Sequence, residues 1–434
     1  MNTHIKNINS ILTAERISKL RRIREEKRTE GFALLSEEIG KAAVNELRAL
    51  YSLFDERMLI WYGELYDPDV GGFYFSDTAR DTDGFLPDLE STAQALKFFA
   101  TQCALPGSGE AITRIPYELS EKIFEFAYNL QDEDGFFYHP QWGKNITLTR
   151  RGRDLGWATQ ILSLKGKYKH PLPLSKSREK KSAVPDYLKD INVYKKWISE
   201  RPFSSKSYAM GNLINSICGQ ICAAGPEFVQ ATIEWLDSIQ YHDNGLWEKE
   251  ISYDSVNGLM KIAISYPVFG GKLKHASAAF ESAMQAILSD APIRFACEFY
   301  NPWAAISVIL RHGELRENEK DSMRSELITI APELIRKTVE KMKTTYTGNG
   351  TFAYFSKDSG EFCSHSQGAR VSLDGVWESD INGNGCSING TLREMYGAFG
   401  MQAVPIFTEE DAKFVFDIMK LPITYGESQG KENT

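Results

Sequence analysis

Apolar residues recur at helical spacing over 42–54, 91–103, 119–130, 155–164, 207–222, 228–240, 256–266, 277–289, 302–311, 328–343 and 387–399. No stretch alternates apolar and polar positions for long enough to read as a strand, so the predicted fold class is all-α. Residues 14–28, AERISKLRRIREEKR, predict a charged helix with Ile17, Leu20 and Ile23 on one side, which suits docking on a protein surface better than anchoring in a membrane. Residues 165–206 break the pattern. They are basic and contain Pro and Ser, and read as an exposed insertion. The expected organisation is a charged helical extension over 1–40, one domain over 41–425 carrying that insertion, and a flexible tail over 426–434.

The helices repeat. Four turns join a glycine to aromatic residues: Gly71-Gly72-Phe73-Tyr74-Phe75, Asp134-Gly135-Phe136-Phe137-Tyr138, Asn244-Gly245-Leu246-Trp247 and Asn349-Gly350-Thr351-Phe352. An apolar helix leads into the last three. The segments after the turns also match: Asp88-Leu89-Glu90 with Asp154-Leu155-Gly156, and Ser255-Val256-Asn257-Gly258 with Ser387-Ile388-Asn389-Gly390. A further echo sets Ser76, Ala79-Arg80 and Asp83-Gly84-Phe85 against Ser366, Ala369-Arg370 and Asp374-Gly375-Val376. Uneven spacing leaves room for two hairpins without the signature, near 207–240 and 277–312. About six hairpins closing into an α/α toroid is the expected architecture. The second helix of each hairpin then faces a central funnel, which brings distant polar residues together.

Composition narrows the function. The 434 residues carry 50 basic and 58 acidic side chains, a net charge of −8, which argues against a nucleic-acid groove. Phe, Tyr and Trp make up 12% of the chain, an excess that marks either an aromatic cleft or a Phe-rich core. Cys103, Cys218, Cys222, Cys297, Cys363 and Cys386 show no metal or disulfide spacing and read as buried thiols in a reducing compartment. There is no signal-type segment and no run of about 18 apolar residues, so the expectation is a cytoplasmic chain with no membrane span.

The turns LQDEDGFF and SIQYHDNGLW resemble the glutamine-to-tryptophan repeat of the terpenoid cyclase and protein prenyltransferase toroids. Pro87-Asp88-Leu89-Glu90-Ser91-Thr92-Ala93 is similar to the Pro-Asp-x-Asp-Asp-Thr-Ala segment of class II terpenoid cyclases. That resemblance implies Glu90 as the acid that protonates an alkene or epoxide. Ser91 stands where the cyclases have a fourth acid, a second toroid does not fit in this length, and the prenyltransferase zinc set is missing. Polysaccharide lyases and the hydrolases of unsaturated uronyl oligosaccharides are similar in architecture, although their diagnostic motifs are absent.

The polar density of the expected rim favours a hydroxyl-rich, anionic substrate. Hydrolysis needs two carboxylates across the scissile bond, and Asp88 and Glu90 facing Asp380 or Glu378 are the candidate pair. Elimination from a uronate needs a base and a carboxylate neutraliser. His139, Tyr253 with Asp254 and Asn257, and the Arg150-Arg151-Gly152-Arg153 cluster beside Asp154 are candidates for those roles. Arg80, Arg370 and Asn382 add hydrogen-bonding groups, and Trp142, Trp157, Trp247 and Trp377 are candidate sugar platforms. Asp88 also reads as the N-cap of its helix. Asp380-Ile381-Asn382-Gly383-Asn384-Gly385 is too short a ligand ladder for calcium, and phosphate and dinucleotide loops are absent, so no metal and no cofactor are expected. The expected function is cleavage of an acidic oligo- or polysaccharide by lyase or hydrolase chemistry. A class II-like terpenoid cyclase is the alternative.

Overall fold

A computed structural model describes residues 3–103, 115–163 and 184–426, and most of them are helical. The strands β1 (Thr3–Ile5), β2 (Tyr66–Asp67), β3 (Gly72–Phe73), β4 (His365–Ser366), β5 (Ala369–Arg370) and β6 (Thr424–Gly426) form three short antiparallel pairs, β1 with β6, β2 with β3 and β4 with β5. No helix among the described residues is long and apolar enough to cross a membrane.

Helix α1 (Ala14–Tyr51) starts at Thr13, whose hydroxyl accepts the Arg16 amide, and breaks at Gly40, where φ is 83°. Leu20 and Arg24 both face inward at i and i+4. Arg24 reaches Glu56 at 2.7 Å and Asp411 at 3.7 Å, so the side of this helix predicted as apolar buries a paired charge as well. The next helices are α2 (Glu56–Leu65), α3 (Asp77–Asp81), α4 (Leu89–Gln102), α5 (Tyr117–Asn129), α6 (Leu148–Ser163) and α7 (Ile191–Ser199). They continue as α8 (Ser207–Ala224), α9 (Pro226–Ile239), α10 (Tyr253–Ala263), α11 (Ala276–Leu288) and α12 (Cys297–His312). The chain ends with α13 (Glu317–Thr329), α14 (Ala331–Lys343), α15 (Ile381–Asn384), a π-helical segment (Gly385–Leu392), α16 (Arg393–Phe399) and α17 (Glu409–Met419).

Side-chain oxygens at the helix starts satisfy amides that the helices leave unpaired. Asp88 accepts from Ser91 at α4, Ser252 forms a capping box with Ser255 at α10, and Thr408 forms one with Asp411 at α17. Helix α4 packs on α6, α6 on α8, α8 on α10 and α10 on α12. Helix α12 packs on the π-helical segment and α16, and that segment packs back on α4. Outside this succession α5 lies on α6, α9 on α8, α11 on α10 and α12, and α14 on α11 and α1. A single cluster of buried apolar side chains runs from Leu20 to Met419.

All four glycine-aromatic turns need their glycine. Gly71, Gly135, Gly245 and Gly350 have φ of 87°, 88°, 66° and 72°, a region that side chains with a Cβ rarely adopt. The second and third turns are built alike. The Gln131 amide donates to the Gly135 carbonyl at 3.0 Å and that of Gln240 to Gly245 at 2.8 Å, while Asp134 and Asn244 accept from Phe136 and Leu246. Other echoes in the sequence do not carry over. Ser76 caps α3, whereas Ser366 lies in the β4–β5 hairpin; Asp88 precedes α4, whereas Asp154 sits inside α6 as the i+4 partner of Arg150.

The expected insertion at 165–206 lies outside the described residues up to 183. From 184 onward it is not an excursion: α7 buries Tyr194 and Ile198 against α9, and the Tyr194 hydroxyl bonds Thr232 at 2.6 Å. The surrounding lysines masked a helix with few core positions. Of the expected tail over 426–434, residues 427–434 lie outside the described residues, and Gly426 pairs with Thr3.

Close approach of α8 to α10 depends on Gly258. A Cβ there would stand 2.0 Å from the Ser207 hydroxyl oxygen and 2.6 Å from its Cβ. Gly258→Ala is expected to lower unfolding free energy by about 1–3 kcal/mol through overpacking. Gly156→Ala, at an exposed site on α6 with nothing within 4 Å, is expected to raise it by up to about 1 kcal/mol through helix propensity. Equilibrium denaturant unfolding of both variants checks the pair.

Candidate functional site

Helices α4, α6, α8, α10 and α12, the π-helical segment and the loop before α15 line a cavity of about 300 Å³. Helix α4 contributes Gln94 and Lys97, α6 Arg153 and Trp157, and α8 Tyr208, Asn212 and Asn215. Lys261 comes from α10, Cys297 and Tyr300 from α12, and Cys386 and Gly390 from the π-helical segment. The loop before α15 closes the rest with Tyr354, Phe355, Cys363 and His365. Arg153, Trp157 and Asn215 also line an adjoining groove of about 450 Å³ between α6 and α8.

Charge distinguishes this cavity. Among the described residues its lining includes Lys97, Arg153 and Lys261 and no Asp or Glu. Arg153 is neutralised from beneath by Glu90, but among the described residues neither lysine has an acceptor or a carboxylate within bonding reach. Burial, then repulsion from Arg393, lowers the Lys97 ammonium to about 8. Lys261 is also lowered, chiefly by burial.

Beneath the cavity lies a closed ion network. Glu90, 2% exposed, accepts from Arg150 Nη1 at 3.0 Å, from Arg153 Nε at 3.1 Å and Nη2, and from the Ser366 hydroxyl at 3.1 Å. Arg150 also donates to Asp154 at 2.5 Å and to the Ser366 carbonyl at 3.1 Å. Burial alone would raise the Glu90 carboxyl; the two guanidiniums override it and hold it down at about 2. Glu90 therefore has no proton to give near neutral pH, and this arrangement does not suit the acid role expected of it.

The other expected carboxylates serve the backbone. Asp88 accepts from the Ser91 amide and hydroxyl, and burial pushes it up to about 6. Asp380 caps α15 through Gly383 and accepts from the Tyr354 amide, both at 2.7 Å, with burial pushing it up to about 7. Glu378 accepts from Thr78 and Ser372. None of the three lines the cavity.

His139 stacks on Trp142 with ring centres 4.0 Å apart and bonds the Pro87 carbonyl at 2.8 Å. Burial lowers it to about 4, so it is neutral. Trp247 is wholly buried and donates to the Leu236 carbonyl, and Asn257 is buried against Asn301. Tyr253 donates to the Ala291 carbonyl, and Asp254 pairs with Arg294. Arg80 pairs with Asp77 and Asp81, Arg370 with Asp374, and Trp377 donates to the Phe355 carbonyl. Of the expected site residues, Arg153, Trp157 and Asn382 line the cavity, where Asn382 accepts from Gln94 at 2.7 Å.

The cavity residues absent from the sequence expectation had a readable signal. Tyr208, Asn212 and Asn215 lie at i, i+4 and i+7 on an otherwise apolar helix, and Gln94 and Lys97 at i and i+3. Among the described residues no three His, Cys, Asp or Glu side chains are grouped as metal ligands.

Glu90→Gln tests the network. It strips Arg153 of its anion and leaves Arg150 only Asp154, an expected loss of about 3–5 kcal/mol in unfolding free energy at neutral pH. A carboxyl held at about 2, against an ordinary 4.5, stabilises fully above pH 4.5 and loses that contribution as pH falls toward 2. Denaturant unfolding between pH 7 and 2 should show a shallower acid-side decline in the variant than in the parent.

Comparison with known proteins adds no assignment, since no family model, no curated protein and no solved structure matches the chain.

Proposed function

We propose that the chain is an α/α toroid of six helical hairpins whose central cavity cleaves a uronate-containing oligosaccharide by elimination. The cyclic order of packing, α4 to α6, α8, α10, α12, the π-helical segment and back to α4, supports the architecture. Two of the hairpins have their helices packed directly on each other, α5 on α6 and α11 on α12.

One observation carries the chemistry: among the described residues the cavity lining has three cations and no carboxylate. A carboxylate pair for hydrolysis is missing from it, and a prenyl carbocation would be repelled. A uronate carboxylate instead finds Arg153 and Lys261, sugar hydroxyls find Asn212, Asn215, Gln94 and Asn382, and Trp157 offers a ring face. Lys97, lowered to about 8, has a neutral fraction at pH 7 that can take the C5 proton. The C5–H electrons form the C4=C5 bond, the C4–O bond breaks, and a tyrosine hydroxyl, Tyr208 or Tyr354, protonates the leaving oxygen. Arg153 and Lys261 neutralise the charge that grows on the carboxylate.

The test is incubation with uronate oligosaccharides and their neutral counterparts, followed by ultraviolet absorbance for the C4=C5 product and by calorimetry for binding. Lys97→Met should bind a uronate yet form no unsaturated product. Lys261→Met should weaken binding roughly ten- to hundredfold, the worth of one charged hydrogen bond. Equal affinity for neutral sugars, or saturated products alone, would overturn the reading.

A further inference from the structure

One pair of side chains in the cavity has no part in that reaction. Cys297 and Cys386 place their sulfurs 3.8 Å apart, one on the first residue of α12 and the other on the π-helical segment. Both line the cavity. The Tyr354 hydroxyl donates to the Cys297 sulfur at 3.4 Å, and Tyr208 and the Lys261 ammonium also face it. Sixteen residues of helix begin at this sulfur, so the positive end of the α12 dipole adds to Lys261.

These surroundings set Cys297 apart. Hydrogen bonding from Cys386, opposed by burial and aided by Lys261 and the tyrosine hydroxyls, lowers its thiol below the ordinary range. Cys386 moves the other way, because ionising it beside the Cys297 sulfur is unfavourable. Cys103, Cys218, Cys222 and Cys363 are all raised, chiefly by burial. A lone activated cysteine would suit many electrophiles. The second sulfur at 3.8 Å narrows the choice to chemistry that ends in a disulfide, since closing to a bond length of about 2.05 Å takes a shift of roughly 1.8 Å.

We propose that Cys297 and Cys386 form a redox-active dithiol in the central cavity, with Cys297 the nucleophile toward a hydroperoxide and Cys386 the thiol that resolves the product. The Cys297 thiolate attacks one peroxide oxygen; the S–O bond forms, the O–O bond breaks, and the departing alkoxide takes a proton from the cavity and leaves as an alcohol or water. The Cys386 sulfur then attacks the sulfenic sulfur. The S–S bond forms, the S–O bond breaks, and the hydroxyl leaves with the thiol proton as water. Two thiols lose two electrons and the peroxide gains two. This site is independent of the sugar class that the cavity accepts.

The experiment uses the reduced full chain, one equivalent of hydrogen peroxide, and peptide mass spectrometry after blocking of free thiols. A Cys297–Cys386 linked peptide is expected, with the other four cysteines left reduced and dithiothreitol restoring the pair. Cys386→Ser should hold Cys297 as a sulfenic acid that dimedone traps, and Cys297→Ser should give neither adduct nor link. Lys261→Met should slow Cys297 oxidation roughly tenfold at pH 7, as its thiolate fraction falls. Oxidation of Cys363 or Cys222 ahead of Cys297, or an oxidised parent protein without the linked peptide, would overturn the proposal. The parent measurement does not depend on any variant folding.

Discussion

The carboxylate of Glu90 lies 2% exposed at the first turn of α4, where an unpaired charge would cost several kcal/mol. Its ionised form therefore requires Arg150 and Arg153, and that requirement fixes much else. Two arginines three residues apart on α6 grip one glutamate on α4, which sets the register between these helices. Asp154, one turn beyond Arg150, balances the second charge, and Ser366 brings the β4–β5 hairpin down onto the same cluster. With its own acids consumed below the floor, the cavity above is left with Lys97 and Lys261 and, among the described residues, no carboxylate to match them.

The glycine-aromatic turns were the part of the fold most legible in the sequence. A turn that needs a positive φ of 66–88° admits glycine and few other residues, so Gly71, Gly135, Gly245 and Gly350 announce themselves, and Gln131 and Gln240 mark two turns built on the same bonds. Helix identity followed from apolar spacing for the same reason: burial on one side of a helix imposes a period. Where few positions are buried, as on α7 with Tyr194 and Ile198 among lysines, the period fades into an apparent insertion.

The site was less legible because charge alone does not say which way a side chain points. Asp88, Glu378 and Asp380 are acids at the beginnings of elements or in turns, a position equally suited to catalysis and to satisfying backbone amides, and here the amides and hydroxyls take them. Trp247 was expected at a sugar platform and instead fills the core. The lining residues carry weaker individual signals. Lys97 and Lys261 look like ordinary surface lysines in a linear reading, and only the packing of six neighbouring elements turns them inward.

Lys261 joins the two proposals. Its ammonium faces the Cys297 sulfur and sits on the lining where a carboxylate would bind. One cation cannot serve two anions at full strength: a bound carboxylate would screen the thiolate, and a thiolate would weaken the hold on the carboxylate. Linkage makes this antagonism reciprocal, the same free energy appearing in ligand affinity and in thiol ionisation. Conversion of the pair to a neutral disulfide removes the competing anion and returns Lys261 to the ligand. A cavity with two lysines that lack a carboxylate partner and one activated sulfur is thus an electrostatic system in which occupancy and thiol state cannot vary independently, whichever small anion enters it.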